Sequence, residues 1–297
     1  MKLRSSTGRG LASSSVDFGM PGTSRRTDSP LIDIDSLSAE DRDRIARYQA
    51  RTGASVDAAA VDLGLVDPDA VRQALARHVE AGELIDPDTT GVNRAVVAAY
   101  APDDPLSVKL REVRSSLLTV LEIDRDALSV VVLAGCGTDD TAGVAANLAT
   151  LFAQLGKPGL VVDANFAAAA QDALFGVSPV EGATSLLTGG AAREDSVVST
   201  PVPNLDLIAS GPVISGLSEA VERVSLVEQL RALRGGYRFA IVDAGNQPAD
   251  IVAAIARGAD GVLLLSERRH TPLEAVRALI DRLAANDVPV LGNILVR

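Results

Sequence analysis

One stretch constrains the fold of this chain more than any other. Leu128 to Phe166 reads as strand, small-residue loop, helix, strand. Ser129 to Leu133 (SVVVL) is a β-branched apolar run, and Ala134 to Gly143 (AGCGTDDTAG) is a loop of small and polar residues. Val144 to Leu155 (VAANLATLFAQL) has helical apolar spacing. Gly156-Lys157-Pro158-Gly159 breaks it before Leu160 to Asp163 (LVVD). A strand feeding a helix through such a loop is the frame of a phosphate-binding P-loop, in which backbone N–H groups and the helix N-terminus face the anion. A working loop also needs Lys on the phosphates and a Ser or Thr hydroxyl on Mg²⁺. The corresponding positions here read Asp140-Thr141-Ala142-Gly143.

The rest of the chain repeats the alternation. Leu205 to Ala209, Phe239 to Asp243, Gly261 to Leu265 and Val288 to Val296 are further candidate strands. Helical patterns separate them over Ala167 to Leu174, Ala183 to Leu187, Gly216 to Leu233, Ala249 to Arg257 and Pro272 to Ala285. Continuous Val/Ile/Leu runs mark strands buried on both faces, and strands alternating with helices mark a parallel sheet. The expectation is an α/β, doubly wound, mostly parallel P-loop NTPase-like domain over residues 104–297.

Upstream, residues 1–29 are rich in Ser, Gly, Arg and Thr without periodicity and read as a disordered arm. Residues 30–84 read as a small helical domain. Ser38 is placed as the N-cap of a first helix, Ser55 to Leu63 form a second, and Asp67-Pro68 open a third that carries His78 near its end. Residues 85–103 read as a linker. Leu106 to Leu121 is then an amphipathic helix with Leu110, Val113 and Leu117 on one face and Arg111 and Arg114 on its surface.

Composition narrows the function. A net charge of −11 argues against a general nucleic-acid binder. Only Lys2, Lys109 and Lys157 could serve as a phosphate-binding lysine. The lone Cys136 excludes an internal disulfide and fits a reducing cytosol. The basic N-terminus has no apolar core of a secretion signal, and no window is long and apolar enough to span a membrane.

Ligands in open α/β sheets bind at the carboxyl ends of the strands. Three such ends should converge here: the loop containing Gly137, Thr138, Asp139, Asp140, Thr141, Ala142 and Gly143; Asp163; and Asp243. Two carboxylates beside a phosphate loop suit Mg²⁺ binding and water positioning, with Asp163 as the catalytic candidate and both as metal ligands. The loop opposes this. Asp139 and Asp140 stand where phosphates would sit, and two like charges about 4 Å apart cost on the order of 4 kcal/mol at an intermediate dielectric. Nothing in the sequence demands that Arg268 or Arg269 reach in to offset them.

Several segments are similar, in order and spacing, to the bacterial tyrosine autokinases of exopolysaccharide synthesis. AANLATLFAQLGKPGLVVDAN resembles the helix and strand after that family's phosphate loop. ALFGVSPVEGATSLLTGGA resembles the segment that follows, YRFAIVDAG the Walker B strand, and ADGVLLLSERRHTPL the next strand. IARYQARTGASVDAAAVDLGLVDPDAVRQALARH resembles the helical module of stand-alone, chain-length-determinant-associated members. The resemblance covers about residues 36–297 and implies a MinD-like fold.

It also exposes departures. The family's phosphate-loop Lys and hydroxyl residue are Thr141 and Ala142 here. In its Asp-x-Asp motif Asp163 remains, but Asn165 and Ala167 replace the second Asp and the Arg. Its Asp-Thr-Pro is Asp243-Ala244-Gly245, and its Glu-x-x-Arg-x-x-Arg oligomerisation motif is Val108, Arg111, Arg114. In place of a terminal tyrosine cluster there are only Tyr48, Tyr100 and Tyr237. The resemblance therefore implies a degenerate pseudokinase, without a cofactor, held at the inner face of the cytoplasmic membrane by a transmembrane chain-length determinant, with an active kinase or further copies of itself as other partners. The alternatives are an active Mg-ATP-dependent kinase or ATPase whose site a partner completes, and a MinD-like positioning protein.

Overall fold

The computed structural model describes residues 37–52, 56–67, 84–121, 127–233 and 236–296. The chain divides into two compact units, residues 20–82 and residues 83–297. The arm expected over residues 1–29, the expected third helix of the small domain and His78 lie outside the described residues.

In the smaller unit, the helices Ala39–Thr52 and Val56–Asp62 close around Ile45, Ala59 and Ala60. Ser38 caps the first as expected: its hydroxyl accepts the Asp41 N–H at 3.1 Å. Tyr48 donates to Asp62 at 2.9 Å, joining the two helices.

The larger unit is built on a seven-stranded sheet. Its strands are β1 (Ser129–Cys136), β2 (Gly159–Asp163), β3 (Val198–Ser199), β4 (Leu205–Ile208), β5 (Phe239–Asp243), β6 (Gly261–Glu267) and β7 (Val290–Val296), in the order β3-β4-β2-β5-β1-β6-β7. All pairings are parallel except β3 with β4. Every residue of β1, β2 and β5 is buried, as their unbroken apolar runs predict. One face is covered by the helices Pro105–Leu118, Thr141–Ala153 and Gln171–Phe175, and the other by Ala183–Thr188, Leu217–Arg223, Leu226–Arg231, Ala249–Ile255 and Leu273–Ala284. The α/β doubly wound expectation is correct.

Several boundaries differ from expectation. The single helix over 216–233 is two, because Val224 is extended and the Ser225 hydroxyl starts the second by accepting the Glu228 N–H. The helix expected from Ala167 begins at Gln171. Strand β3 escaped notice because two residues carry no pattern.

The segment expected to be a linker packs into the larger unit. Val92, Val96, Ala98 and Ala99 belong to the core on the Thr141–Ala153 side. Asn147, fully buried in that helix, holds the segment: its Oδ1 accepts the Ala98 N–H at 2.9 Å, and its Nδ2 donates to Ala95 O and Gly143 O, both at 2.8 Å. Gln154 donates to Ala98 O at 2.7 Å, and the Asn93 N–H to Leu174 O at 2.8 Å.

Arg111 and Arg114 are not on the helix surface. They are 6% and 5% exposed, and they donate to Pro102 O at 2.6 Å and Leu151 O at 2.9 Å. A 3.6-residue period puts them next to the buried Leu110 and Val113, so their side chains run under neighbouring backbone instead of into solvent.

Candidate functional site

The parallel register brings the expected strand ends together. Leu133 lies opposite Asp243 in the β1–β5 pairing, and Asp163 lies directly opposite Asp243 in the β2–β5 pairing. The Gly137–Gly143 loop follows β1 at the same edge. All three parts lie at one edge of the sheet, and their hydrogen-bond partners are groups of the chain itself.

The loop is pinned from several sides. Gly137 has φ +70°, and its N–H donates to Asn246 Oδ1 at 3.0 Å. The Thr271 hydroxyl donates to Cys136 O at 2.6 Å and accepts the Glu267 N–H at 2.7 Å, which ties the turn after β6 to the loop. At Gly135 a Cβ would lie 2.4 Å from the Thr138 carbonyl oxygen, so the loop is folded back onto the end of β1. Gly137, Asp139 and Asp140 are exposed; Ala142 and Gly143 are half-buried; Thr138 and Thr141 are buried.

Among the described residues, no cation is among the groups acting on Asp140. Burial raises the Asp140 pKa above the ordinary carboxylate value, and the charges of Glu267 and Asp139 add to it. Arg268 and Arg269 lie in the exposed turn after β6, but neither is among the groups acting on Asp140. Lys157 precedes β2, at the opposite end of the sheet, and Lys109 lies in the Pro105–Leu118 helix.

Asp163 and Asp243 are 1% and 0% exposed. Asp163 Oδ2 accepts the N–H groups of Ala170 and Gln171 at 2.8 and 2.9 Å, and its Oδ1 accepts that of Asn165 at 3.1 Å. It caps the short helix that follows. Burial nevertheless pushes its pKa up to about 6, with Asp243 contributing. Asp243 is raised as well, chiefly by burial. Its Oδ1 accepts the Gly245 N–H at 3.0 Å, and its Oδ2 accepts Gln171 Nε2 at 3.1 Å. The same Nε2 donates to Ala142 O at 3.1 Å. The Thr141 hydroxyl helps hold the Asp243 charge without reaching hydrogen-bond geometry with any partner. Gly245 has φ +64°, and a Cβ there would lie 2.2 Å from Asn165 Oδ1, so Asn165 closes over it.

This arrangement does not fit Mg²⁺ with a triphosphate. Both carboxylates are taken up by backbone amides and one side-chain amide, the loop carries acids without a lysine, and a carbonyl packs into the turn. Sequence reasoning missed Gln171 and Asn147. A lone Gln between Ala170 and Asp172, in an otherwise alanine-rich run, was the available signal for the first.

No protein-family model matches the chain. Curated relatives do. The chain is 27% identical over 207 residues to the tyrosine-protein kinase YwqD of Bacillus subtilis, covering 69% of this chain and 86% of the relative. It is 30% identical over 203 residues to the putative tyrosine-protein kinase EpsB of Ralstonia solanacearum, covering 66% of this chain but 26% of that longer protein. Among solved structures, the kinase domain of the Escherichia coli tyrosine kinase ETK superposes with a TM-score of 0.62 at 23% identity, over 75% of this chain and 91% of that one. The VpsO kinase domain superposes at 0.52 with 27% identity, over 64% and 97%.

The chain is a homologue of the bacterial tyrosine-protein kinases. Its sheet and flanking helices are that family's P-loop fold. Against that family, the contents of the strand-end site in this chain stand out more sharply than its architecture.

Proposed function

We propose that this chain is a pseudokinase. It regulates exopolysaccharide assembly or export by binding a membrane-embedded chain-length regulator, and it does not transfer a phosphoryl group. The observation that carries the reading is the strand-end site: no lysine at 141, acids at 139 and 140, and Asp243 held by Gln171 and Gly245. Phosphoryl transfer rests on positioning and charge neutralisation, and a loop of net negative charge supplies neither. Each of the three tyrosines is hydrogen-bonded within the chain. Tyr48 and Tyr237 donate to Asp62 and Asp206, and Tyr100 donates to Arg94 O.

On this reading residues 30–84 and 104–297 are the functional modules, and 85–103 belongs with the second. The protein acts at the inner face of the cytoplasmic membrane through its partner; no described helix is long and apolar enough to cross. The assembly role of Arg111 and Arg114 becomes indirect, by bracing the Pro105–Leu118 helix. Titration calorimetry of the purified chain with Mg-ATP, alone and with a detergent-solubilised chain-length regulator, tests the proposal. It expects no heat from nucleotide in either case and saturable binding of the regulator. Micromolar Mg-ATP binding by the chain alone overturns it.

A further inference from the structure

The missing lysine is the visible defect of the phosphate loop, and the geometry points to a second, independent block. We infer that Gln171 is an internal ligand: its side-chain amide closes the site from within and holds the phosphate loop against the strand ends. The inference deepens the pseudokinase reading by naming what occupies its site.

Gln171 is fully buried. One nitrogen, Nε2, reaches Ala142 O in the loop and Asp243 Oδ2 at the end of β5, both at 3.1 Å. Its own backbone N–H is fixed by Asp163 Oδ2 at 2.9 Å, at the end of β2. A single residue therefore joins all three parts of the site. A neutral amide suits this position because its N–H groups face a carbonyl and a carboxylate, two acceptors that a buried water or cation would otherwise have to serve. The flipped amide would set oxygen against both, so the orientation is determined by the partners.

The cluster also holds more acceptors than donors. Gln171 Oε1 is buried without a hydrogen-bond partner, beside two carboxylates. Each unmatched polar atom carries a desolvation cost, and here Gln171 sets its donors against the acceptors that need them most. Restoring the lysine alone leaves Gln171 in place, with Asp243 and Ala142 still engaged.

Two measurements test this. The first is amide exchange at Gly135, Ala170, Gln171 and Gly245 in the wild type, Gln171→Ala and Gln171→Met. Met keeps the bulk and removes the donors, so both variants are expected to exchange about tenfold faster at Gly245 and the loop, the equivalent of one lost hydrogen bond to a charged group. Unchanged exchange in both overturns the inference. The second compares Mg-ATP binding by Thr141→Lys with that of Thr141→Lys/Gln171→Ala, each checked for cooperative unfolding. The double variant is expected to bind at least about tenfold more tightly, since only it has a vacated site. Equal affinities, or none in either, overturn the inference. Nucleotide binding by the unaltered chain overturns the pseudokinase reading instead, and the exchange data then still decide whether Gln171 holds the loop.

Discussion

The Thr141–Ala153 helix carries a buried polar centre on each of two sides, and they are solved differently. On the side of residues 84–101, Asn147 has every hydrogen-bonding group engaged: one acceptor and two donors, all at 2.8–2.9 Å. On the side of the strand ends, Thr141, Gln171, Asp163 and Asp243 leave Gln171 Oε1 unmatched and two carboxylates with raised pKa values. A fully satisfied centre is what packing produces when only stability matters. The strand-end centre differs in holding two buried carboxylates, one accepting the Gln171 backbone N–H and the other its side-chain amide.

The largest effect should come from breaking the satisfied centre. Asn147→Ala leaves Ala98 N–H, Ala95 O and Gly143 O without their partner, and urea unfolding should show a loss of about 3 kcal/mol. Limited proteolysis should then cut within residues 84–101 before the rest of the unit. An undiminished midpoint would remove the distinction between the two centres. Arg114→Met comes next: it strips a donor from Leu151 O while keeping much of the bulk, and should cost about 2 kcal/mol in the same assay.

Smaller effects should come from the strand-end centre. Thr141→Val removes, at nearly constant volume, the hydroxyl that helps hold the Asp243 charge and should destabilise the unit by about 1 kcal/mol. An unchanged midpoint would mean the hydroxyl contributes nothing there. The pH response is of similar size. Asp163 has a folded pKa of about 6 against 3.8 for the free group. The folded state thus binds the proton more tightly, so stability rises as pH falls from 7 through 6 towards 4 and is lost as pH rises through 6. Asp243 and Asp140, also raised, act in the same direction. Unfolding midpoints at pH 7, 6 and 5 should increase in that order, and Asp163→Asn should flatten the trend.

Much of this molecule was legible from its residues because the relevant signals are local. Unbroken apolar runs gave β1, β2 and β5, and the strand ends Asp163 and Asp243 followed from where those runs stop. Ser38 was readable as a cap because a hydroxyl before an acidic first turn has one common use. What escaped depends on long-range pairing. Asn147 acts on residues about fifty positions earlier, and Gln171 on Asp243, far along the chain. Neither partner is indicated by spacing. Arg111 and Arg114 misled because charge ordinarily marks a solvated face, and only the tertiary structure supplies the backbone carbonyls that receive them.

The packing of residues 84–101 sets a limit on how the molecule can be divided. A fragment beginning at residue 104, the natural cut from periodicity, would strip Val92, Val96, Ala98 and Ala99 from one wall of the core and bare Asn147 to water. Such a fragment would be prone to clump, and an inert result obtained with it would say nothing about the nucleotide site. Any dissection of this protein has to start ahead of Leu84.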